Sequence, residues 1–96
     1  MSDTSKEKLE ILMPVHNEGK SLEETIFKIY EVIKSEINFS FIICEDGSND
    51  DTVEILERLK LKYPIILLTH PFKKGYSNAV IDGIKHATAD YLLVMD

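Results

Sequence analysis

The sequence lacks several features that define large classes of protein. It has one cysteine, Cys44, which cannot form an intramolecular disulfide, so a disulfide-stapled secreted miniprotein is excluded. No apolar run approaches the roughly 20 residues that a membrane-spanning helix needs. The polar residues 1–8 contain no apolar core of a signal peptide. We therefore expect a cytoplasmic protein with no membrane segment in this chain.

Basic residues are also in deficit. Eleven Lys and Arg face seventeen Asp and Glu, a formal net charge of -6. Such a surface repels phosphate backbones, so we expect no nucleic-acid partner. The hydrophobic share of 44% and the charged share of 29% are typical of a globular protein and exclude disordered and collagen-like chains. A length of 96 residues allows one domain with a modest core.

No linker, repeat or low-complexity segment divides the chain. We predict a loosely ordered N-terminus over residues 1–8 and one folded unit over residues 9–96. Pro14 is expected to end the first strand, because proline cannot continue a central ladder. The apolar periods alternate between strand and helix along the unit. They predict strands over about 9–13, 39–44, 64–69 and 91–95, and helices over about 21–37, 52–60 and 77–87.

Four strands alternating with three helices predict an α/β fold, and strands that are apolar throughout are typical of a parallel sheet. Right-handed crossovers restrict the topology. We predict a three-layer, Rossmann-like sheet of order 3-2-1-4, with the first two helices on one face and the third on the other. Ligands of such sheets bind beyond the carboxyl ends of the strands, at the switch point between strands one and four.

The third predicted helix carries a stripe of small residues. Ala79, Gly83 and Ala87 are spaced four apart and share one face. Glycine inside a helix costs roughly 1 kcal/mol relative to alanine. Gly83 therefore predicts a close contact between this helix and the sheet.

Polar residues gather after the predicted strands, at one edge of the sheet. Asp46 follows a buried strand and precedes a glycine, where its carboxylate could accept hydrogen bonds from a base N–H or a ribose hydroxyl. Asp96 follows the fourth strand at the switch point, a natural place for a carboxylate that contacts Mg²⁺ and phosphates. Asp50 and Asp51 are expected at a helix start. The same edge also receives His16, Glu18, His70, Lys73 and Lys74.

Other nucleotide motifs fit less well. No G-x-G-x-x-G follows the first strand, which argues against a dinucleotide site. Gly19-Lys20-Ser21 matches the end of a P-loop, but Pro14 occupies its first position and has no N–H to offer a phosphate. A receiver-type domain would need its acidic pair after the first strand and a lysine after a fifth strand. Here the acidic pair, Glu45-Asp46, follows the second of four predicted strands, which argues against such a domain. A degenerate P-loop NTPase remains an alternative.

Several segments on separate loops resemble family 2 glycosyltransferases, which have the nucleotide-diphosphosugar (GT-A) fold. Within that family, the sequence is most similar to the dolichol- or polyprenyl-phosphate sugar synthases. The resemblance runs through residues 9–96 in order. Its segments are PVHNE at 14–18, EDGSNDDT at 45–52, KGYSNA at 74–79, GIKHA at 83–87, DY at 90–91 and MD at 95–96.

The resemblance implies roles for individual residues. Pro14, His16 and Glu18 match the segment that lines the nucleotide, with His16 where the family often has tyrosine. Cys44 and Asp46 match the positions that contact the base and the ribose.

The resemblance also implies a metal ligand. Asp96 matches the first carboxylate of a D-x-D motif, which meets the Mg²⁺ or Mn²⁺ that bridges the diphosphate. The second carboxylate and the catalytic acid/base would lie beyond residue 96, so no catalytic residue is expected in this chain.

We therefore expect the amino-terminal, nucleotide-sugar-binding half of a longer glycosyltransferase. The longer enzyme would move a sugar from a nucleotide donor to an acceptor such as a polyprenyl phosphate, at the cytoplasmic side of a membrane. The chain alone would be inactive and without bound metal. The alternative from another class is a structural module that binds no small ligand. A sheet face with one helix exposes apolar surface, so a homodimer or larger homo-oligomer is expected.

Overall fold

The computed structural model describes residues 7–96, which form one parallel sheet flanked by helices. The strands are ordered β3-β2-β1-β4 and all pair in parallel. The predicted α/β class and the predicted strand order are confirmed. Most of the predicted loose N-terminus lies outside the described residues. The elements are β1 (Leu9–Val15), α1 (Gly19–Ile33), β2 (Phe39–Asp46), α2 (Thr52–Leu59), β3 (Ile65–His70), α3 (Tyr76–His86) and β4 (Tyr91–Val94).

Pro14 does not end the first strand, so that prediction was wrong. It lies within β1 and pairs with Cys44 of β2. The Leu12 carbonyl accepts the Met95 N–H at 2.8 Å, so alternate residues of β1, Pro14 among them, direct their backbone groups toward β4. Pairing with β4 ends at Leu12 and Val94. Proline is tolerated here because its missing N–H faces the side where the ladder has already ended.

The sheet separates two apolar cores. On one face, Ile11 and Phe41 of the sheet pack with Ile26 of α1 and Leu56 of α2. On the opposite face, Leu12, Ile42 and Cys44 pack against Ala79 of α3. The predicted division of the helices, two on one face and one on the other, is confirmed.

Gly83 lies where α3 is pressed onto the sheet. A Cβ atom at this position would lie 2.9 Å from Cys44 Sγ and closer still to Leu12 Cδ1. The predicted close contact is therefore confirmed. It brings the first turn of α3 to the carboxyl edge of the sheet, where the predicted site residues are found.

β4 is an edge strand that pairs with β1. The side chains of Tyr91–Val94 are between 37% and 59% exposed, although all four are apolar or aromatic. Among residues 7–96, no helix has both the length and the apolar character needed to cross a bilayer.

Candidate functional site

A cavity of about 180 Å³ opens at the carboxyl edge of the sheet, at the predicted switch point. It collects side chains from the ends of β1 and β2, from the connections that follow β1 and β3, and from α3. Four of the five residues predicted to bind a nucleotide lie in its wall; Cys44 is the exception. The wall is formed by Pro14, Val15, His16, Glu18, Asp46, Lys73, Tyr76 and Ala79.

Asp46 organises this cavity. Its carboxylate, at the end of β2, is only 3% exposed. Oδ1 accepts the Lys74 N–H at 2.8 Å and Oδ2 accepts the Gly75 N–H at 2.9 Å, while the His70 ring donates to Oδ1 at 2.8 Å. Burial alone would raise the pKa of Asp46, but hydrogen bonds from Lys74, His70 and Gly75 outweigh it and hold that pKa below its usual value. An ionised Asp46 therefore anchors the connection between β3 and α3.

His70 connects Asp46 to the third helix. Its Nδ1 meets Asp46 and its Nε2 lies 2.6 Å from Oδ2 of Asp82 in α3. The hydrogen bond to Asp46 raises the pKa of His70, burial lowers it, and the hydrogen bond to Asp82 raises it again, with a net increase. The sequence indicated only that His70 lies at the rim. It offered no signal for Asp82, which falls within an ordinary helical stretch.

Gly47 allows the β3–α3 connection to close over β2. Its φ of +67° is in the left-handed region. A Cβ atom here would lie 2.7 Å from Cα of Phe72 and closer still to the peptide that joins Phe72 and Lys73. Only glycine satisfies both the backbone conformation and the approach of the second chain segment.

The His16 side chain contacts the backbone at the end of β2. Its Nδ1 lies 2.8 Å from the Asp46 carbonyl, which can only accept, so Nδ1 carries the proton. The Asn17 side-chain amide approaches His16 Nε2 at 3.3 Å, where the ring accepts. These two contacts set the orientation of the His16 ring.

The loops after β1 and β2 are tied together through Asn17. Its backbone has a φ of +53°, its N–H donates to Ser48 Oγ at 2.8 Å, and its side-chain oxygen accepts the Asn49 N–H at 3.0 Å. These bonds hold the two loops that flank the cavity at a fixed separation.

Asp50 and Asp51 lie outside the cavity wall, at the start of α2. Asp50 Oδ1 accepts the Thr52 hydroxyl at 2.6 Å and the Thr52 N–H at 2.9 Å, and the bond from the hydroxyl is the main reason that the pKa of Asp50 is lowered. Asp51 is the N-cap residue and makes no capping hydrogen bond through its side chain. Asp50 thus has the helix-start role that the sequence indicated.

Asp96 lies on the β1 side of the same edge. The Tyr76 hydroxyl donates to its Oδ1 at 2.6 Å, and this bond raises the pKa of Tyr76. Asp96 and Glu18 both line a second cavity of about 70 Å³ beside the first. Within the described part of the chain, no three His, Cys, Asp or Glu side chains are grouped so that they could hold a metal ion. The described residues therefore do not form a complete metal site around Asp96.

Cys44 lies behind the cavity, in the core between the sheet and α3. The side chain is 1% exposed and packs with Leu12 and Ala79. Burial, together with the nearby Asp82 and Asp46 carboxylates, raises the pKa of the thiol to about 11. The structure therefore places Cys44 against Gly83 and away from the cavity surface.

Comparison with known proteins gives one family and several relatives. A family model described as "Glycosyl transferase family 2" matches residues 10–96. The chain is 35% identical over 89 residues to a dolichol-phosphate mannosyltransferase of Pyrococcus furiosus, covering 93% of this chain and 25% of that protein. It is 33% identical over 94 residues to a poly-beta-1,6-N-acetyl-D-glucosamine synthase of Staphylococcus aureus, covering 94% of this chain and 21% of the relative.

Among solved structures, the fold is similar to that of the mannosyltransferase PcManGT from Pyrobaculum calidifontis, determined in complex with GDP-Man and Mn²⁺. The TM-score is 0.78 at 22% identity, and the match covers 88% of this chain and 25% of that protein. This likeness supports the fold. The chain spans about a quarter of the length of the relatives that it matches.

Proposed function

The chain belongs to glycosyltransferase family 2, and from that premise we propose that its cavity binds the nucleoside diphosphate part of a nucleotide-sugar donor. The observation that carries the proposal is the convergence of His16, Asp46, Lys73 and Tyr76 on one cavity at the switch point of a parallel sheet. Open α/β sheets bind nucleotides at this position.

The residues of the cavity wall suit different parts of such a ligand. Asp46 and His16 offer hydrogen-bonding groups appropriate to a base or a ribose. Lys73 supplies a positive charge that attracts a diphosphate. Pro14 and Glu18 complete the wall on the β1 side, and Cys44 supports it from the core.

We further propose that residues 9–96 are the donor-binding part of a longer protein that transfers a sugar to an acceptor. A relative named as a dolichol-phosphate mannosyltransferase makes a polyprenyl phosphate the first acceptor to test, and such a substrate would bring the longer protein to a membrane. The chain by itself is proposed to lack turnover, because it spans about a quarter of the length of the relatives that it matches.

Asp96 is the residue that would contact a divalent cation in the longer protein. Mg²⁺ or Mn²⁺ at the diphosphate would offset the charge of the departing nucleoside diphosphate. The PcManGT structure contains Mn²⁺ with a nucleotide sugar, which supports testing both ions.

Calorimetry with GDP, UDP and ADP, each with Mg²⁺, tests nucleotide binding. We expect GDP or UDP to bind with a Kd on the order of 0.1–1 mM, because only part of the ligand's surface can be covered, and we expect no sugar transfer. Lys73→Ala should weaken binding about fivefold, since Lys73 lines the cavity.

Lys62→Ala is the matched control, because Lys62 follows α2 and lies outside the cavity wall. Equal losses in both variants, or no binding of any nucleotide, would contradict the proposal. Preference for ADP would favour the P-loop alternative, and multiple turnover by the chain would contradict its proposed inactivity.

A second candidate is self-association through β4, favoured by the exposure of its four apolar side chains on an open sheet edge. We propose that a second copy pairs with this edge to form a homodimer, since an unpaired strand presents free N–H and C=O groups. Sedimentation velocity should then show a dimer at about 100 µM, a concentration within the range of weak interfaces.

Leu93→Lys should convert that dimer to a monomer, because a charged side chain on an edge strand opposes pairing. Leu61→Lys is the matched control: Leu61 is exposed beyond α2 and far from β4 in the chain. A monomer at every concentration, or an unchanged dimer in the Leu93 variant, would exclude this interface.

A further inference from the structure

The buried imidazole of His70 joins two carboxylates from different elements. Nδ1 lies 2.8 Å from Asp46 Oδ1 at the end of β2, and Nε2 lies 2.6 Å from Asp82 Oδ2 in α3. The His70 side chain is 7% exposed and the Asp82 side chain 35%, so water competes little for the bond to Asp46 and more for the bond to Asp82. We call Asp46, His70 and Asp82 the clamp.

Both ring nitrogens must donate if both bonds are to form. An ionised carboxylate only accepts hydrogen bonds, and a neutral imidazole has one N–H and one lone pair. Neutral His70 would therefore point a lone pair at one of the two carboxylates. The geometry calls for the imidazolium, which also partly neutralises two nearby negative charges.

The charged groups around His70 come from three elements. Asp46 on β2 and Asp82 on α3 favour the cation, and Lys74 on the β3–α3 connection opposes it. Cys44 beneath them has its pKa raised to about 11 and is neutral at physiological pH. The two carboxylates outweigh Lys74, and the pKa of His70 is raised accordingly.

The clamp reaches the cavity through the backbone. Asp46 Oδ1 accepts from both His70 and the Lys74 N–H, while Oδ2 accepts from Gly75. The residues on either side of this turn, Lys73 and Tyr76, lie in the cavity wall. The orientation of Asp46 therefore decides where two wall residues stand.

We propose that His70, as an imidazolium, is a positioning residue for the nucleotide cavity: it joins Asp46 to Asp82 and thereby fixes the turn that carries Lys73 and Tyr76. The role of the cavity rests on the proposed function, and the clamp itself is tested independently of it. His70 acts through Asp46 and does not line the cavity.

The expected pH dependence follows from the direction of the shift. Because the folded-state pKa of His70 is raised above its ordinary value, the clamp is complete below about 6.5 and is lost as pH rises through the folded-state pKa. GDP affinity should fall about fivefold over that interval, as the turn loosens and a nearby positive charge disappears.

NMR titration of the three histidine rings, combined with GDP calorimetry at each pH, tests this. In the unmodified chain, His70 should titrate above about 6.5. Asp82→Asn removes one carboxylate outside the cavity wall and should lower the His70 midpoint by about one pH unit. The midpoint of the plot of GDP affinity against pH should move by the same amount. The ionisations of GDP itself are the same with both proteins and cannot cause this difference.

Glu57→Gln, an equal charge change on the exposed side of α2, should move neither midpoint. A purely structural role for Asp82 would lower stability in Asp82→Asn but leave both midpoints in place, and that result would overturn the proposal. So would a His70 midpoint at or below the ordinary value in the unmodified chain.

Hydrogen exchange at the Lys74 and Gly75 amides separates this proposal from the proposed function. After division by the intrinsic exchange rate, protection of both amides should fall about tenfold as His70 loses its proton, with or without nucleotide. His70→Gln should abolish that pH dependence. If GDP fails to bind but the protection follows His70, the proposed function is wrong and the clamp stands. If the protection of the two amides does not change with pH, the proposed role of His70 is wrong, whatever the result of the GDP binding experiment.

Discussion

Replacing Asp46 by alanine is expected to abolish nucleotide binding and to lower the free energy of unfolding by about 3 kcal/mol. The carboxylate is buried and accepts hydrogen bonds from the Lys74 and Gly75 backbone and from His70. Its removal leaves the Lys74 and Gly75 N–H groups and the Nδ1–H of His70 without an acceptor in a largely buried site. Urea unfolding and GDP calorimetry measure the two effects, and sedimentation should show unchanged assembly.

Asp51→Ala is the control for charge at the same rim. Asp51 is exposed and makes no capping bond, so we expect a change within about 0.5 kcal/mol and unaltered binding. Asp46→Asn keeps the side-chain volume and can be measured in place of Asp46→Ala if that variant does not fold. Its amide oxygen can still accept two hydrogen bonds, but the side chain loses the charge and one of its two acceptor oxygens. Nucleotide binding that survives in both Asp46 variants would contradict the assigned role.

Gly83→Ala is expected to destabilise the chain by about 2 kcal/mol, although alanine is the better helix former by about 1 kcal/mol. The added methyl group would overlap Leu12 Cδ1 and lie 2.9 Å from Cys44 Sγ. Leu12 is fully buried, so its side chain can move aside only by disturbing the core. Overpacking therefore outweighs the gain in helix propensity.

Urea denaturation of Gly83→Ala against Lys85→Ala tests that balance. Lys85 is exposed on the same helix, and its replacement should change stability by less than about 0.5 kcal/mol. An increase in stability for Gly83→Ala would mean that propensity dominates and that α3 does not approach the sheet as closely as the structure shows. Gly83→Val adds volume and a β-branch, and should be more destabilising still.

Much of the fold was accessible from local patterns. The apolar stripe through Leu22 and Ile26 predicted a helix with one buried face, and the continuous run 39–44 predicted a strand buried on both faces. The spacing of the apolar residues and the order of the predicted elements together indicated a parallel sheet and its strand order. The spacing is informative because it shows which face of a helix or strand is turned from water. Gly83 also had a local signature, since a glycine among helix formers is costly without a close contact.

The site was accessible only in outline. Counting residues past each strand indicates that His16 and Asp46 reach one edge, because all strands of a parallel sheet end there. It cannot indicate that Asp46 is already bonded to Lys74 and Gly75, or that Cys44 is buried beneath α3 and does not line the cavity.

Hydrogen-bond partners distant in sequence account for the difference. His70 bonds to residues 24 positions before it and 12 positions after it, and neither spacing leaves a periodic mark in the sequence. The prediction that Pro14 ends the first strand was wrong for the same reason. The cost of its missing N–H depends on where the neighbouring strand β4 ends. The sequence by itself determined which residues turn from water and hence the layers and their order. Only the tertiary structure decided which polar atoms meet, since a hydrogen bond depends on positions fixed to within a few tenths of an ångström by packing from several elements at once.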